Sequence, residues 1–109
     1  MKQITAFIRH NMIDSVIDAL EALDYPPGLT LSNVRGFGHP KKGRPAKLTE
    51  RVKLETVVPD DQVNVVLKTI IDKARTGRNG DGKIFISPVD AAVRIRTGEE
   101  NHDALQFPK

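Results

Sequence analysis

The stretch ITAFIRHNMIDSVIDALEAL, residues 4–23, changes its hydrophobic period partway along and decides the fold class. Ile4, Ala6 and Ile8 alternate with residues of a second face, which is the period of a strand with one buried side. In the second half, apolar residues recur at every third or fourth position, the period of an amphipathic helix. The stretch therefore predicts a strand followed by a helix, with Asn11 as the helix N-cap.

The rest of the chain continues with the same two periods. The spacing of apolar residues predicts strands over 29–36, 52–58 and 83–86, a helix over 63–76, and a further extended segment over 91–97. The order βαββαβ predicts an α+β, ferredoxin-like domain with an antiparallel sheet and two helices on one face. The other face must then be covered, and self-association is the simplest cover.

The composition excludes several classes of protein. A length of 109 residues fits one domain, residues 1–109, that is too small for a deep catalytic cavity in a single copy. The chain has no cysteine, so disulfides, thiolate nucleophiles and Cys-ligated zinc are excluded. Its three histidines are scattered, and no serine has a His and Asp arrangement beside it, so we expect neither a metal site nor a catalytic residue. Without a long apolar run, we expect a cytoplasmic protein that does not insert into membranes.

Positive charge is concentrated in residues 35–53, which hold seven basic residues and one acidic residue in a chain of net charge +3. The segment is also rich in glycine and proline, so we predict an exposed loop over 39–50. A long loop in a small domain is usually functional. Charge alone leaves open whether the loop meets nucleic acid, an anionic metabolite or an acidic protein. Nucleic acid is the least favoured of these, because only 5% of the residues are aromatic and could stack on bases.

Two short motifs are candidates for binding phosphate. The stretch TGRNGDGK, residues 76–83, has the spacing of a P-loop, but Ile84 replaces the hydroxyl that would ligate Mg²⁺, and a strand follows where a P-loop has a helix. A Walker ATPase is therefore not expected. The glycines can still expose N–H groups beside Lys83, although a helix cap and a tight turn explain them equally well. In Arg94–Arg96, strand alternation predicts two guanidinium groups on one side, about 7 Å apart, which suits a polyphosphate or a solvated strand face.

These motifs resemble, in the same order, the C-terminal signature of PII signal-transduction proteins, and Val34–Gly38 with Val57–Asp61 resembles the central part of that family. The resemblance covers nearly the whole chain. It implies a ferredoxin-like homotrimer that is a regulator and not an enzyme, with ATP, ADP or AMP bound in clefts between subunits. It further implies that the loop at 39–50 is the family's T-loop, which acts on a target transporter or enzyme, and that 99–109 is a C-terminal tail.

The resemblance also implies nucleotide-binding roles for particular residues. The phosphate loop would be Gly80, Asp81, Gly82 and Lys83; the arginines from the adjacent subunit would be Arg94 and Arg96; and the positions around the base, ribose and T-loop root would be Thr30, Gly36, Gly38, Glu55 and Val57.

The T-loop departs from that of the nitrogen-regulating members. It is shorter, it contains no tyrosine for uridylylation, and Pro40 stands where those proteins have the glutamine that ligates Mg²⁺ and so holds 2-oxoglutarate. Proline offers neither a side-chain acceptor nor a backbone N–H, so conventional 2-oxoglutarate sensing is not expected and the involvement of Mg²⁺ stays open. Arg51 stands where the family has a lysine.

The short T-loop resembles that of PII-like proteins associated with carboxysomes and inorganic-carbon uptake. This resemblance implies bicarbonate as a second effector, held by Arg51 with Lys41 or Lys42. Two other readings stay open: a PII-like nitrogen regulator of a transporter or enzyme, and, from another class, a nucleic-acid-binding module that uses the basic loop.

Overall fold

The strands of this chain pair into one antiparallel sheet. The structure is a computed structural model that describes residues 1–38 and 42–105. Its elements are β1 (Lys2–Ile8), α1 (Ile13–Glu21), β2 (Thr30–Gly38), β3 (Lys47–Val58), α2 (Val63–Ala74), β4 (Ile84–Pro88) and α3 (His102–Leu105). The strand order is β2-β3-β1-β4, and every neighbouring pair is antiparallel. The order βαββαβ, followed by the short α3, confirms the predicted ferredoxin-like α+β fold.

The core lies between one face of the sheet and the helices α1 and α2. Successive strand residues point to opposite faces, so every second residue of β1 and β3 is buried. The helices contribute residues three and four positions apart, which lie on one side of each helix. The buried residues of this core are Ile4, Ala6, Ile8, Val16, Leu20, Leu54, Val58, Val66, Ile70 and Ala74. The alternation of Ile4, Ala6 and Ile8 in the sequence therefore correctly predicted the buried side of β1.

The second face of the sheet carries the intervening residues of the strands, and we call it the open face. Phe7 and Phe85 meet there edge to face with ring centroids 6.2 Å apart, and Phe85 is 56% exposed. Gln3 donates a hydrogen bond to the Glu55 carboxylate at 3.1 Å. The open face thus combines exposed aromatic surface with polar pairs.

The start of α1 differs from the prediction. Asn11 was expected to cap the helix, but it lies inside a 3₁₀ turn, His10–Met12, that connects β1 to α1. Met12 occupies the N-cap position, and its side chain makes no capping hydrogen bond. The Met12 N–H donates to the Arg9 carbonyl at 3.0 Å. This turn delays the helix by one residue, so the prediction of Asn11 as N-cap is wrong.

The loop between β2 and β3 is shorter than predicted. Residues 47–50 belong to β3 and pair with the end of β2, with Gly38 opposite Lys47 and Gly36 opposite Thr49. The predicted loop boundary of 39–50 is therefore wrong for its last four residues. Backbone hydrogen bonds to β2 stabilise residues 47–50, so these residues form a strand without contact to the apolar core. Because β1 ends at Ile8, opposite Val52, the paired strands project beyond it as a two-stranded hairpin.

The segment after β4 also differs from the prediction. β4 continues through Ser87 and Pro88, where a break was expected. Residues 95–97, expected to be extended, form a turn, in which the Gly98 N–H donates to the Arg94 carbonyl at 2.7 Å. Gly98 has φ of 74°, a conformation that glycine adopts without steric cost. The turn leads into α3, which lies within the predicted 99–109 tail and which the sequence patterns did not indicate.

Candidate functional site

The phosphate-loop candidate, residues 76–83, connects α2 to β4 and folds over the end of β1. The Phe7 N–H donates to the Lys83 carbonyl at 3.0 Å. Gly82 has φ of 99°, and a Cβ atom on it would lie 1.9 Å from the Phe7 carbonyl oxygen. The loop and β1 cannot approach this closely unless position 82 lacks a side chain. Gly82 is therefore required by the close packing of the loop on β1.

Asp81 organises the phosphate loop through its carboxylate. The oxygens accept hydrogen bonds from the Thr76 N–H and the Gly77 N–H, both at 2.9 Å, and from the Thr76 hydroxyl. The Arg9 Nε lies 3.1 Å from the same carboxylate. The hydrogen bond from the Thr76 hydroxyl, helped by the backbone N–H groups and Arg9, holds the pKa of the Asp81 carboxyl well below its usual range. The carboxylate thus faces the loop's own donors.

Two arginines reach this loop, Arg9 from directly after β1 and Arg51 from within β3. The Arg9 Nη2 donates to the Asn79 carbonyl at 2.8 Å, and the Arg51 Nη2 donates to the Gly80 carbonyl at 2.9 Å. A Cβ atom on Gly80 would lie 3.1 Å from the Arg51 Nη2 and 3.3 Å from the Arg9 Nη2. Two guanidinium groups therefore converge on one residue of the loop. The sequence patterns did not indicate Arg9. The available signal was its place directly after β1, where its odd number continues the set of residues on the open face.

The loop also offers backbone donors. Within the part of the chain that the structure describes, no acceptor takes the N–H of Gly80, Asp81 or Gly82. Lys83 is exposed beside them. Consecutive unpaired N–H groups next to cationic side chains form a concave site that suits an anion. This arrangement favours the phosphate-binding interpretation of 76–83 over a plain turn.

Residues predicted to surround the base and ribose lie further along the open face. Glu55 is opposite Thr30 in the sheet, and it accepts from Gln3 and lies 3.6 Å from the Lys53 ammonium. Arg51 and Glu55 share the open face and are separated by about 13 Å, from the rise of a strand. This distance is comparable with the length of an extended nucleotide. Phosphates at the loop and a ribose near Glu55 are therefore compatible with a single ligand.

The hairpin holds the two remaining glycines of the predicted set. Gly36 and Gly38 lie in β2 opposite Thr49 and Lys47, beyond Arg51 and on the side away from Glu55. A Cβ atom added to either glycine would meet no atom within 4 Å. Their absent side chains leave the hairpin backbone open to close approach by a ligand or a second chain.

Arg94 and Arg96 are remote from the phosphate loop of their own chain. β4 runs from a position opposite Ala6 to one opposite Lys2, so both arginines follow the far end of the sheet. Arg94 is 17% exposed and donates to the carbonyls of Asp103 and Ala104 at 3.1 and 3.3 Å. The prediction that strand alternation places the two guanidinium groups on one side is wrong, because residues 95–97 turn.

Of the residues predicted for a second effector, the described pair Arg51 and Lys42 is not brought together. Arg51 is bound to the Gly80 carbonyl. Lys42 is exposed in the turn beyond the pair formed by Gly38 and Lys47, more than about 13 Å along the hairpin from Arg51. Lys41 and Pro40 lie outside the described residues.

Two cavities flank the sheet. One of about 160 Å³ lies beneath the phosphate loop and is lined in part by Phe7, Ile70 and Asp81. The other, about 530 Å³, lies at the opposite end of the sheet and includes Val57 and Tyr25 in its lining. The larger volume is in the range of small-molecule sites. Among the residues predicted to bind nucleotide, Val57 is the one that lines this larger cavity.

Metal clusters and membrane spans are absent from the described parts of the chain. In residues 1–38 and 42–105, no three His, Cys, Asp or Glu side chains are grouped to hold a metal ion. No helix in the same ranges has the length and apolar character needed to cross a bilayer.

Comparison with known proteins agrees with this geometry. A family model described as nitrogen regulatory protein P-II matches residues 1–99. The nitrogen regulatory protein P-II of Haemophilus influenzae is 44% identical over 113 aligned residues, covering 96% of this chain and 100% of the relative. That of Microchaete diplosiphon is 47% identical with the same coverage. Among solved structures, Arabidopsis thaliana PII bound to citrate is 41% identical with a TM-score of 0.83, covering 99% of this chain and 92% of that one. These matches confirm the resemblance seen in the motifs: the chain belongs to the nitrogen regulatory protein P-II family.

Proposed function

We propose that this protein is a signalling protein without catalytic activity that binds an adenine nucleotide, ATP, ADP or AMP, and regulates a target protein through its β2–β3 hairpin and T-loop. One observation carries the proposal: within the described residues, the N–H groups of Gly80, Asp81 and Gly82 are unpaired, and they adjoin the exposed Lys83. Phosphate is the anion that such a set of donors suits. The distance from this loop to Glu55 leaves room for the nucleoside.

Binding without hydrolysis follows from the same residues. The Asp81 carboxylate is engaged by donors of its own loop, so it is not available as a general base. Ile84 follows Lys83, where a P-loop would place a hydroxyl for Mg²⁺. A positioned base and a metal-ligating hydroxyl are two of the parts that phosphoryl transfer requires.

The proposed binding unit is a homotrimer with nucleotide in each cleft between subunits. Arg94 and Arg96 follow the sheet end remote from the phosphate loop, so they can contact phosphate only from a neighbouring copy. Covering the open face by a second copy would also bury Phe85, which is 56% exposed. A stable monomer at micromolar concentration, measured by light scattering, would contradict this part of the proposal.

A small carboxylate or bicarbonate is the proposed second effector. Arg51 supplies a guanidinium at the hairpin root, close to the phosphate loop. A PII of 41% identity is described as bound to citrate, which supports the carboxylate class of ligand. Bicarbonate is preferred to 2-oxoglutarate because Pro40 replaces the glutamine that the family uses to hold 2-oxoglutarate through Mg²⁺. A role in inorganic-carbon metabolism follows if bicarbonate binds, and a role in nitrogen regulation if 2-oxoglutarate does.

Calorimetry tests the proposal directly. Each nucleotide is titrated alone, with bicarbonate and with 2-oxoglutarate, and its product is assayed for hydrolysis. We expect micromolar or tighter binding, no turnover, and tighter binding in bicarbonate; by reciprocity, nucleotide must tighten bicarbonate binding by the same factor. Tightening by 2-oxoglutarate alone would return the protein to the nitrogen-sensing class. Binding to nucleic acid that falls steeply with salt, without nucleotide binding, would instead identify the basic hairpin as a nucleic-acid module.

A further inference from the structure

Arg9 holds the phosphate loop at two points. Its Nε lies 3.1 Å from the Asp81 carboxylate, and its Nη2 donates to the Asn79 carbonyl at 2.8 Å. Its side chain is 24% exposed. Because the guanidinium is a rigid planar fork, its donors fix both acceptors relative to each other, which a single ammonium cannot do.

These contacts determine where the loop's N–H groups point. The described peptide bonds are all trans, so the carbonyl of one residue and the N–H of the next point in opposite directions. The Asn79 carbonyl turns toward Arg9, and the Gly80 N–H therefore turns away from Arg9. The Gly80 carbonyl turns toward Arg51, and the Asp81 N–H therefore turns away from Arg51. The arginines therefore lie on one side of the loop, and the N–H groups of Gly80 and Asp81 point to the other.

We propose that Arg9 is a positioning residue of the phosphate site, which fixes the loop so that its backbone donors converge on phosphate without Arg9 touching the ligand. The inference rests on the proposed nucleotide-binding function. Gly80 and Gly82 have positive φ, and glycine backbones sample many conformations when nothing restrains them. Losing the fork therefore disperses the donors and weakens recognition of the phosphates, whereas recognition of the nucleoside is unchanged.

Three variants separate positioning from charge. Arg9→Met removes the fork, and Arg9→Lys keeps the charge but cannot serve both acceptors. Arg78→Met is the matched control, because Arg78 is an exposed arginine of the same loop whose backbone N–H donates to the Thr76 hydroxyl. Affinities for ATP, ADP and adenosine are measured by calorimetry on each folded, correctly assembled variant. Thermal unfolding and light scattering establish folding and assembly, and Arg9→Lys serves as the test if Arg9→Met does not fold.

We expect Arg9→Met and Arg9→Lys to weaken ATP and ADP binding by about tenfold and adenosine binding by less than about twofold. Arg78→Met should weaken ATP binding by no more than about twofold. An unchanged ratio of ATP to adenosine affinity in Arg9→Met overturns the inference. An equal loss of ATP affinity in Arg78→Met, or unchanged ATP affinity in Arg9→Lys, also overturns it, because either result shows that only charge matters. If the unmodified protein binds none of the nucleotides, the proposed function itself fails. If the unmodified protein and its Arg9 variants bind ATP equally well, only the role of Arg9 is overturned.

Discussion

The Arg51 Nη2 lies 2.9 Å from the Gly80 carbonyl oxygen, and this contact joins the root of the β2–β3 hairpin to the phosphate loop. Arg51 lies in β3 opposite Val34, so a displacement of its guanidinium acts on both strands of the hairpin. Gly80 belongs to the loop whose N–H groups face the proposed phosphate site. The contact is a direct physical connection between the proposed ligand site and the proposed partner-binding element.

Removing the Arg51 side chain is therefore expected to uncouple these two elements. In Arg51→Met, ATP binding weakens by about tenfold, or roughly 1.4 kcal/mol, because a charge-assisted contact to the loop is lost. In addition, nucleotide no longer changes the hydrogen-exchange protection of residues 47–50. Lys47→Met, on the same strand and in the projecting part of the hairpin, is the control and should preserve the response. A hairpin that still responds to nucleotide in Arg51→Met contradicts this coupling.

Substitution of Gly82 is expected to be costly for two reasons. A Cβ atom would lie 1.9 Å from the Phe7 carbonyl oxygen, and φ is 99°. Gly82→Ala should lower the free energy of unfolding by about 2–4 kcal/mol, from steric displacement together with backbone strain. Gly77→Ala is the control, because Gly77 has φ of 85° but no atom within 4 Å of the added Cβ. That variant should lose only about 1–2 kcal/mol. Urea unfolding measures both, and equal losses would show that the close contact with β1 is unimportant.

Features of the fold and site that depend on residues close in sequence could be predicted, whereas those that depend on residues distant in sequence could not. The burial of Ile4 and Leu20 follows from local periodicity, which the sequence displays directly. The turn closed by Gly98 was not predicted, because alternating apolar residues before it are also the pattern of a strand. Arg9 contacts Asp81 across 72 positions in sequence, and no local pattern encodes such a contact.

The remaining site residues show the same division. The spacing of glycines before Lys83 indicated a phosphate loop, but it left open whether the loop was only a turn. The Asn79 and Gly80 carbonyls are held by Arg9 and Arg51, which the topology brings together from the end of β1 and from within β3. Sequence motifs therefore indicated a candidate phosphate loop, whereas the fold determines where its N–H groups point.

The depressed pKa of Asp81 makes the loop's stability dependent on pH in one direction. Its folded-state pKa lies below the ordinary value of 3.8, mainly because the Thr76 hydroxyl donates to the carboxylate. A depressed carboxyl contributes stability that is fully present above the ordinary value and is lost as pH falls through the folded value. The stability difference between the unmodified protein and Asp81→Asn should therefore be constant above about pH 5 and should shrink below pH 3.8.

Unfolding by urea from pH 2.5 to 7 measures this difference. Thr76→Val is the companion variant, because it removes the hydroxyl donor and leaves the carboxylate. It should move the Asp81 pKa back toward its ordinary value, as read from the carboxyl carbon resonance. A stability difference that does not change with pH would show that Asp81 is not held as described.

The contact between Arg94 and α3 leads to the last prediction. The Arg94 Nη2 donates to the carbonyls of Asp103 and Ala104, and its side chain is 17% exposed. These donors cannot serve a neighbour's phosphate while they hold α3, so phosphate and α3 compete for the same guanidinium. A chain truncated after Glu100 is therefore expected to bind ATP about threefold to tenfold more tightly, since the competing contact costs roughly 1 kcal/mol to break. In Arg94→Met the truncation should have no effect on affinity, because the group for which α3 and phosphate compete is absent.

Hydrogen exchange provides an independent measurement on the full-length chain: ATP should reduce the protection of residues 102–105. A truncation that weakens ATP binding, or protection of α3 that rises with ATP, would show that α3 and nucleotide bind together and that Arg94 does not move between them.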